Sequence, residues 1–290
     1  MFIKRVTRGQ LLILLVVLAV NVCAVSAQMR VHFLDVGQAE SILLQTDEYT
    51  LLIDAGDRDR NDVVPQLKAM GVEKLDLLIL THPHADHMGQ AVAVLESFEV
   101  AEVWFSGSEH NTILYERLLD AILASPAAYN EPRRGQVYPL GDLTLHVLNP
   151  LQVRTGGKAD LHDECLVIRA VYKDVAFLFT GDVERKTENK LLHSGLALQA
   201  HILNLGHHGS RTSSSLAFLE TVAPQAAIYS AGRRNVYGHP HQEVLDRLKI
   251  LGIPAFGTRR HGTITVITDG TDFEIISSVG SDRELAKSLQ

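Results

Sequence analysis

A chain of 290 residues has room for one large domain or two small ones, and an apolar share of 46% with a charged share of 21% excludes a disordered or fibrous protein. The formal net charge of −7 argues against a general binder of polyanions. Of the two cysteines, Cys23 falls in an amino-terminal leader, so Cys165 has no partner for an intramolecular disulfide and the core must carry the fold alone.

The leader comes first in chain order. Lys4, Arg5 and Arg8 precede an unbroken apolar run over residues 11–20, and Val25-Ser26-Ala27 supplies the small residues of a cleavage point. The run is shorter than the roughly 20 residues of a membrane span, so residues 1–27 read as a signal peptide rather than an anchor. Cleavage leaves Gln28 first, in a periplasmic or secreted chain expected to have no integral membrane span. Anchoring through a lipidated Cys23 is the weaker reading, because Val22 stands where a small residue is needed. Losing three of the 27 basic residues and none of the 34 acidic ones takes the net charge from −7 to −10.

Residues 28–280 read as a single domain and 281–290 as a polar tail expected to fray. Strands are predicted over residues 30–36, 41–46 and 50–54, in meander order, followed by a helix over 62–70 that Gly71 stops. The apolar run 75–80 fits a strand buried on both faces. It leads directly into Thr81-His82-Pro83-His84-Ala85-Asp86-His87. Three imidazoles and a carboxylate this close are costly as mere packing, since each buried ring needs its own partner; a divalent metal supplies one. A helix over 90–95, a strand over 100–105, a helix over 112–123 capped by Thr112 and a surface loop over 126–135 complete the first half. The second half gives strands over 143–148, 166–172 and 175–180 and a helical stretch over 183–193. Strand 201–205, helix 213–222, strand 226–230 and helix 243–251 then alternate, and strands 263–268 and 273–276 close the core. The order predicts an α/β protein of two similar units packed sheet to sheet with helices outside.

The His run resembles the signature of the metallo-β-lactamase-fold hydrolases. Within them the chain looks most like the carboxy-terminal hydrolase domain of ComEC DNA-uptake proteins. The blocks that carry the likeness are residues 33–38, Leu52-Ile53-Asp54-Ala55-Gly56, the His run, Phe179-Thr180-Gly181-Asp182, Gly206-His207-His208-Gly209-Ser210 and Tyr237-Gly238-His239-Pro240. The resemblance implies an αββα four-layer sandwich and two divalent metal ions, zinc or manganese. His82 and His84 would hold one, Asp86 and His87 the other, with Asp182 bridging. His162, before the strand at 166–172, would complete the first metal where ComEC-like chains tend to carry Asn; Cys165 is the alternative ligand. Either His207 or His239 would complete the second, the other serving the leaving oxygen or the substrate, and Asp86 and His207 are read as catalytic. His208 is read as turned away from the metals and, with Arg211, as a substrate contact.

Two smaller departures are Ala39-Glu40 for the family's Gly-Asp and Gln90 for a second Gly. Asp35 and Asp54 either orient ligand histidines through the outer nitrogen or merely form turns. The implied function is an exported metal-dependent hydrolase of a phosphodiester such as DNA. Hydrolysis of another ester or amide (a lactone or a β-lactam) and a non-enzymatic accessory of DNA uptake are the alternatives. Arg211, Arg233, Arg234, Arg259 and Arg260 read equally as phosphate contacts or as ordinary surface charges.

Overall fold

The computed structural model describes residues 28–153 and 160–279, and the backbone of 284–287. The signal peptide read over 1–27 lies outside the described residues, as does most of the polar tail.

The first half runs β1 (Met29–Phe33), β2 (Ile42–Gln45), β3 (Thr50–Ile53), α1 (Val63–Ala69), β4 (Lys74–Leu75), β5 (Leu77–Leu80), α2 (Ala85–Met88), α3 (Ala91–Ser97), β6 (Glu99–Val100), β7 (Glu102–Phe105), α4 (Ile113–Ala124) and β8 (Ala128–Asn130). The second half runs β9 (Val137–Leu140), β10 (Leu143–Asn149), β11 (Val167–Tyr172), β12 (Val175–Phe179), α5 (Arg185–Leu192), β13 (Ile202–Asn204), a 3-10 turn at Gly206–Gly209, α6 (Leu216–Val222), β14 (Ala226–Tyr229), α7 (Gln242–Ile250), β15 (Ala255–Gly257) and α8 (Thr258–His261). It ends in β16 (Ile264–Thr268), β17 (Phe273–Ser277) and β18 (Glu284–Lys287).

Among the described residues these strands form a nine-stranded sheet in the order β18-β17-β16-β1-β2-β3-β5-β7-β8, a seven-stranded sheet in the order β15-β14-β13-β12-β11-β10-β9 and a small β4-β6 pair. Strand period explains how they stack. In β5, Leu77 and Ile79 face the other sheet while Leu78 and Leu80 face helices α1, α3 and α4. In β12, Phe177 and Phe179 enter the space between the sheets, and Ala176 and Leu178 pack toward α5, α6 and α7. Three apolar layers thus separate four layers of backbone, the αββα sandwich.

The halves are less independent than the sequence suggests. The final hairpin does not stay with the second half: β16 pairs antiparallel with β1, Met29 opposite Thr268 and Phe33 opposite Ile264. The segment read as a surface loop over 126–135 contains β8, which adds to β7 in parallel. Within the polar tail, the backbone of β18 pairs with β17, whose outer edge otherwise offers unpaired N–H and C=O groups. Thr112 caps α4 as expected, its hydroxyl accepting from the Tyr115 N–H.

The consequence for function lies at one end of the sandwich. Thr81 follows β5, Asp182 follows β12, the 3-10 turn follows β13 and residues 231–241 follow β14. All four are carboxyl ends of strands, β5 in the nine-stranded sheet and β12, β13 and β14 side by side in the seven-stranded one, where α/β sheets leave a crevice.

Candidate metal centre

The polar residues at this end are fixed by the backbone they leave. Asp54, fully buried after β3, sits at φ 58° and turns its carboxylate back toward the His run. The Thr81 N–H donates to its Oδ1 at 2.8 Å, the Thr81 hydroxyl donates to Oδ2 at 2.7 Å, and His87 Nδ1 donates to Oδ2 at 2.6 Å. Of the two early aspartates, Asp54 is therefore the one that orients a histidine. Asp35 only closes a turn, accepting from the Gly37 N–H at 3.4 Å.

Two groups of donors result. His82, His84, His162 and Asp182 place one donor atom each within 4.8 Å of one another, and Asp86, His87 and His208 do the same. Asp182, 2% exposed, stands between them. Its Oδ2 lies 3.7 Å from His82 Nε2, while its Oδ1 lies 3.2 Å from His87 Nε2 and 3.9 Å from His208 Nε2. One oxygen faces each group.

His208 corrects the sequence reading. It is 2% exposed and turned inward, with Nε2 3.2 Å from Asp86 Oδ2 and Nδ1 donating to the Ser230 carbonyl at 2.9 Å. The cause is local backbone. His207 (φ 50°) and His208 (φ 56°) are both left-handed, which reverses the direction each ring takes from its strand. Left-handed backbone costs about 1–2 kcal/mol per non-glycine residue, and such strain gathers at functional sites. Gly209 continues the turn at φ 82°, where an added Cβ would meet the Pro240 Cβ at 2.7 Å.

His207 instead forms a third trio with His162 and Glu184, donating from Nδ1 to Glu184 Oε1 at 3.3 Å, with Nε2 3.6 Å from Asp182 Oδ2. His239 belongs to none of the three groups. Its ring lies 5.6 Å from that of His207 and 6.1 Å from that of His208, and Gln38 Nε2 donates to its Nδ1 at 3.3 Å. Cys165 is likewise outside them, its buried thiol donating to the Leu161 carbonyl at 3.4 Å, with burial pushing its pKa well up. Arg211 is exposed beyond the 3-10 turn.

Sequence reasoning assigned no role to Glu184 or Gln38. Glu184 carries no motif signal, and Gln38 ends the 33–38 block yet acts at long range, accepting from the Gly232 N–H at 3.1 Å. Glu40 keeps its carboxylate buried, and that burial pushes it up to about 7 against the opposing pull of His208 and His87. Its N–H donates to the Asp86 carbonyl at 3.0 Å, so it buttresses the second group from behind.

The donors fit divalent cations. His87 Nε2 is buried and makes no hydrogen bond, although Asp182 Oδ1 lies within ion-pair distance. His82 Nε2 and His84 Nδ1 meet at 2.7 Å, two ring nitrogens converging on one point. Imidazoles and carboxylates are ordinary zinc donors, and hydrogen bonds such as those on His87 and His208 set the tautomer a ligand needs.

Charge divides the groups. Burial holds His84 down to about 4 and His82 well below its usual range. At His87 burial also opposes charge, but Asp182 and Asp54 outweigh it and raise the imidazole well above its usual value; at His208 Asp182 and Asp86 likewise overcome burial and raise it to about 9. Without metal, His208 therefore stabilises the fold fully below about 6.5, and this contribution fades as pH rises toward about 9. Metal binding would displace protons from His87 and His208, but not from His82 or His84. Titration calorimetry at pH 7 in buffers of different ionisation enthalpy is expected to show proton release on filling the second site, with affinity there rising up to about pH 9. Proton release near zero at both sites would contradict this.

His162→Asn is expected to weaken the first metal by about 10-fold or more, with added metal restoring it, if loss of a ligand exceeds the 10–100-fold effects of orienting groups. An unchanged metal titration curve would remove His162 from the site.

The model of the metallo-beta-lactamase superfamily matches residues 34–233. The chain is 31% identical over 258 residues to ComE operon protein 3 of Bacillus subtilis, covering 82% of this chain and 33% of that protein. It is 33% identical over 235 residues to competence protein ComA of Neisseria gonorrhoeae, covering 79% and 31%. It thus spans about a third of the length of these relatives. Among solved structures, the fold protein YhfI from Bacillus subtilis superposes with a TM-score of 0.56 at 13% identity, covering 82% of this chain and 99% of that one, a likeness of fold alone.

Proposed function

The chain belongs to the metallo-beta-lactamase superfamily, and from that premise we propose that it is a two-metal hydrolase of phosphodiesters, with nucleic acid as substrate. The observation that carries this reading is Asp182, whose two oxygens face the two donor groups. When bound, a pair of divalent ions, zinc or manganese, supplies Lewis acidity to the phosphoryl oxygens and brings a water molecule toward neutral pKa.

The chain's own residues do the rest. Asp54 and the Ser230 carbonyl lock His87 and His208 in the tautomers that present Nε2 to the second group. Asp86 and His208 close its outer side. His207, partly exposed and outside the first two groups, donates from Nδ1 to Glu184; burial lowers its pKa, while Asp182 and Glu184 favour the imidazolium. In that form, protonated from solvent, its Nε2 hands a proton to the leaving oxygen, a contribution of typically 10²–10⁴-fold. His239, held by Gln38, Asn235 and Arg259, forms the facing wall against substrate.

The choice of nucleic acid draws support from relatives whose names tie them to competence. Intact donor groups weigh against a non-enzymatic accessory role. The test compares bis(p-nitrophenyl) phosphate, labelled single-stranded DNA and a chromogenic β-lactam, each with zinc and with manganese. Turnover of both phosphodiesters is expected; turnover of the lactam alone would replace this reading with amide hydrolysis.

The basic and then apolar leader over residues 4–20, with small residues at 25–27, supports an enzyme that acts outside the cytoplasm. No described helix is long and apolar enough to cross a membrane. Mass spectrometry of exported protein should find Gln28 at the amino terminus; retention of Met1 would contradict export by cleavage.

A further inference from the structure

Glu184 is a shared wall. On one side its Oε1 receives His207 Nδ1 and lies 3.9 Å from His162 Nδ1; it also accepts from the Thr212 hydroxyl at 2.7 Å. On the other side opens a cleft of about 470 Å³, lined by Glu184, Arg185, Lys186, Arg211, Thr212, Glu243 and Arg247. Four of these are cations and two are carboxylates, in a chain whose net charge is −7.

The four cations are not equivalent. Lys186 is engaged by Asp160 at 3.2 Å and by Asp163. The Arg247 guanidinium donates to the carbonyls of Ser213, Ser214 and Arg211, which pins the 211–214 loop that shapes the cleft. Among the described residues Arg185 and Arg211 make no ion pair; both are exposed, and they bracket the cleft from α5 and from the loop after the 3-10 turn. A guanidinium presents paired donors that match a phosphate. Phosphate contacts of this kind fix the register of a strand without reading its sequence.

We infer that this cleft binds the phosphate next to the scissile one in a nucleic acid strand, through Arg185 and Arg211. The inference rests on the phosphodiesterase reading of the metal centre and deepens it: a strand is held by a phosphate outside the reacting one, a contact that an isolated diester lacks. Glu184 divides the two subsites and keeps the flanking phosphate on the arginines, away from the donor groups.

The test uses the full chain with Arg185→Ala/Arg211→Ala and Arg185→Lys/Arg211→Lys, both at exposed positions. In the first readout, kcat/KM is measured for a short oligothymidylate and for bis(p-nitrophenyl) phosphate. The ratio of the two is expected to fall about 10-fold or more in the alanine pair and to recover partly in the lysine pair. In the second, fluorescence anisotropy follows binding of the labelled oligothymidylate in EDTA over a salt series. The slope of log K against log salt should shrink by about 0.7 for each phosphate that the alanine pair no longer neutralises. An unchanged ratio together with an unchanged slope would overturn the inference. If the parent turned over neither phosphodiester, the reading of the metal centre would fall, and the salt slope, which needs no turnover, would still decide the cleft.

Discussion

Asp182→Asn is expected to leave the fold intact and to lower phosphodiester hydrolysis by roughly 100-fold or more, beyond the 10–100-fold range of groups that only orient a ligand. The carboxylate is buried, and although burial favours its neutral form, His87 and His208 outweigh that and hold it well below the usual carboxylate range. It is therefore an anion at any working pH, placed between two groups that are to receive cations. The amide has nearly the same shape and no charge, so two neighbouring divalent ions lose the anion that screens their repulsion. Metal content is expected to drop below that of the parent while circular dichroism stays unchanged. A variant with parental metal content and parental rate would remove Asp182 from the bridging position.

The pair His207 and His208 gives the second large effect, because their roles are opposite to their order of prominence in the sequence. His208→Ala leaves the second group with Asp86, His87 and the Oδ1 that Asp182 turns toward it. Its metal should be lost at moderate concentrations, with a fall in rate of about 100-fold or more that excess metal partly restores. His207→Ala is expected to keep both metals and still lose roughly 10²–10⁴ in rate, mostly for substrates with a poor leaving group, since an absent proton donor matters least when the leaving oxygen is already stable. Metal analysis beside rates on nitrophenyl and alkyl esters separates the two. Loss of metal from the His207 variant with retention in the His208 variant would reverse the assignment.

That pair also marks the boundary between what was legible in the sequence and what was not. The His run and the order of strands and helices were readable because they depend on local periodicity and short spacing, whereas Asp182 was nominated only by the family resemblance of residues 179–182, since a Gly-Asp after a strand is also a common turn. β5 announces itself by an unbroken apolar run, and the ligands follow it within seven residues. His162 was nominated by the resemblance too, since it sits just ahead of a clear strand, where the family often places a ligand. Asp54 could only be offered as an orienter or a turn, because its bond to His87 needs the left-handed backbone that turns it inward.

Tertiary structure alone decided the rest. Which of two adjacent histidines enters the site depends on consecutive left-handed residues and on the Ser230 carbonyl, which follows a different strand, β14. Gln38 reaches His239 and Gly232 only because the two sheets bring distant loops together, and Glu184 gains its place from the turn that carries Thr212 and His207. The carboxy-terminal hairpin joined β1 rather than the second half because β16 could extend an antiparallel edge that β1 left open. Periodicity tells a strand which face to bury; it does not tell the strand beside which neighbour, and pairing at long separation is settled by the packing of the whole core.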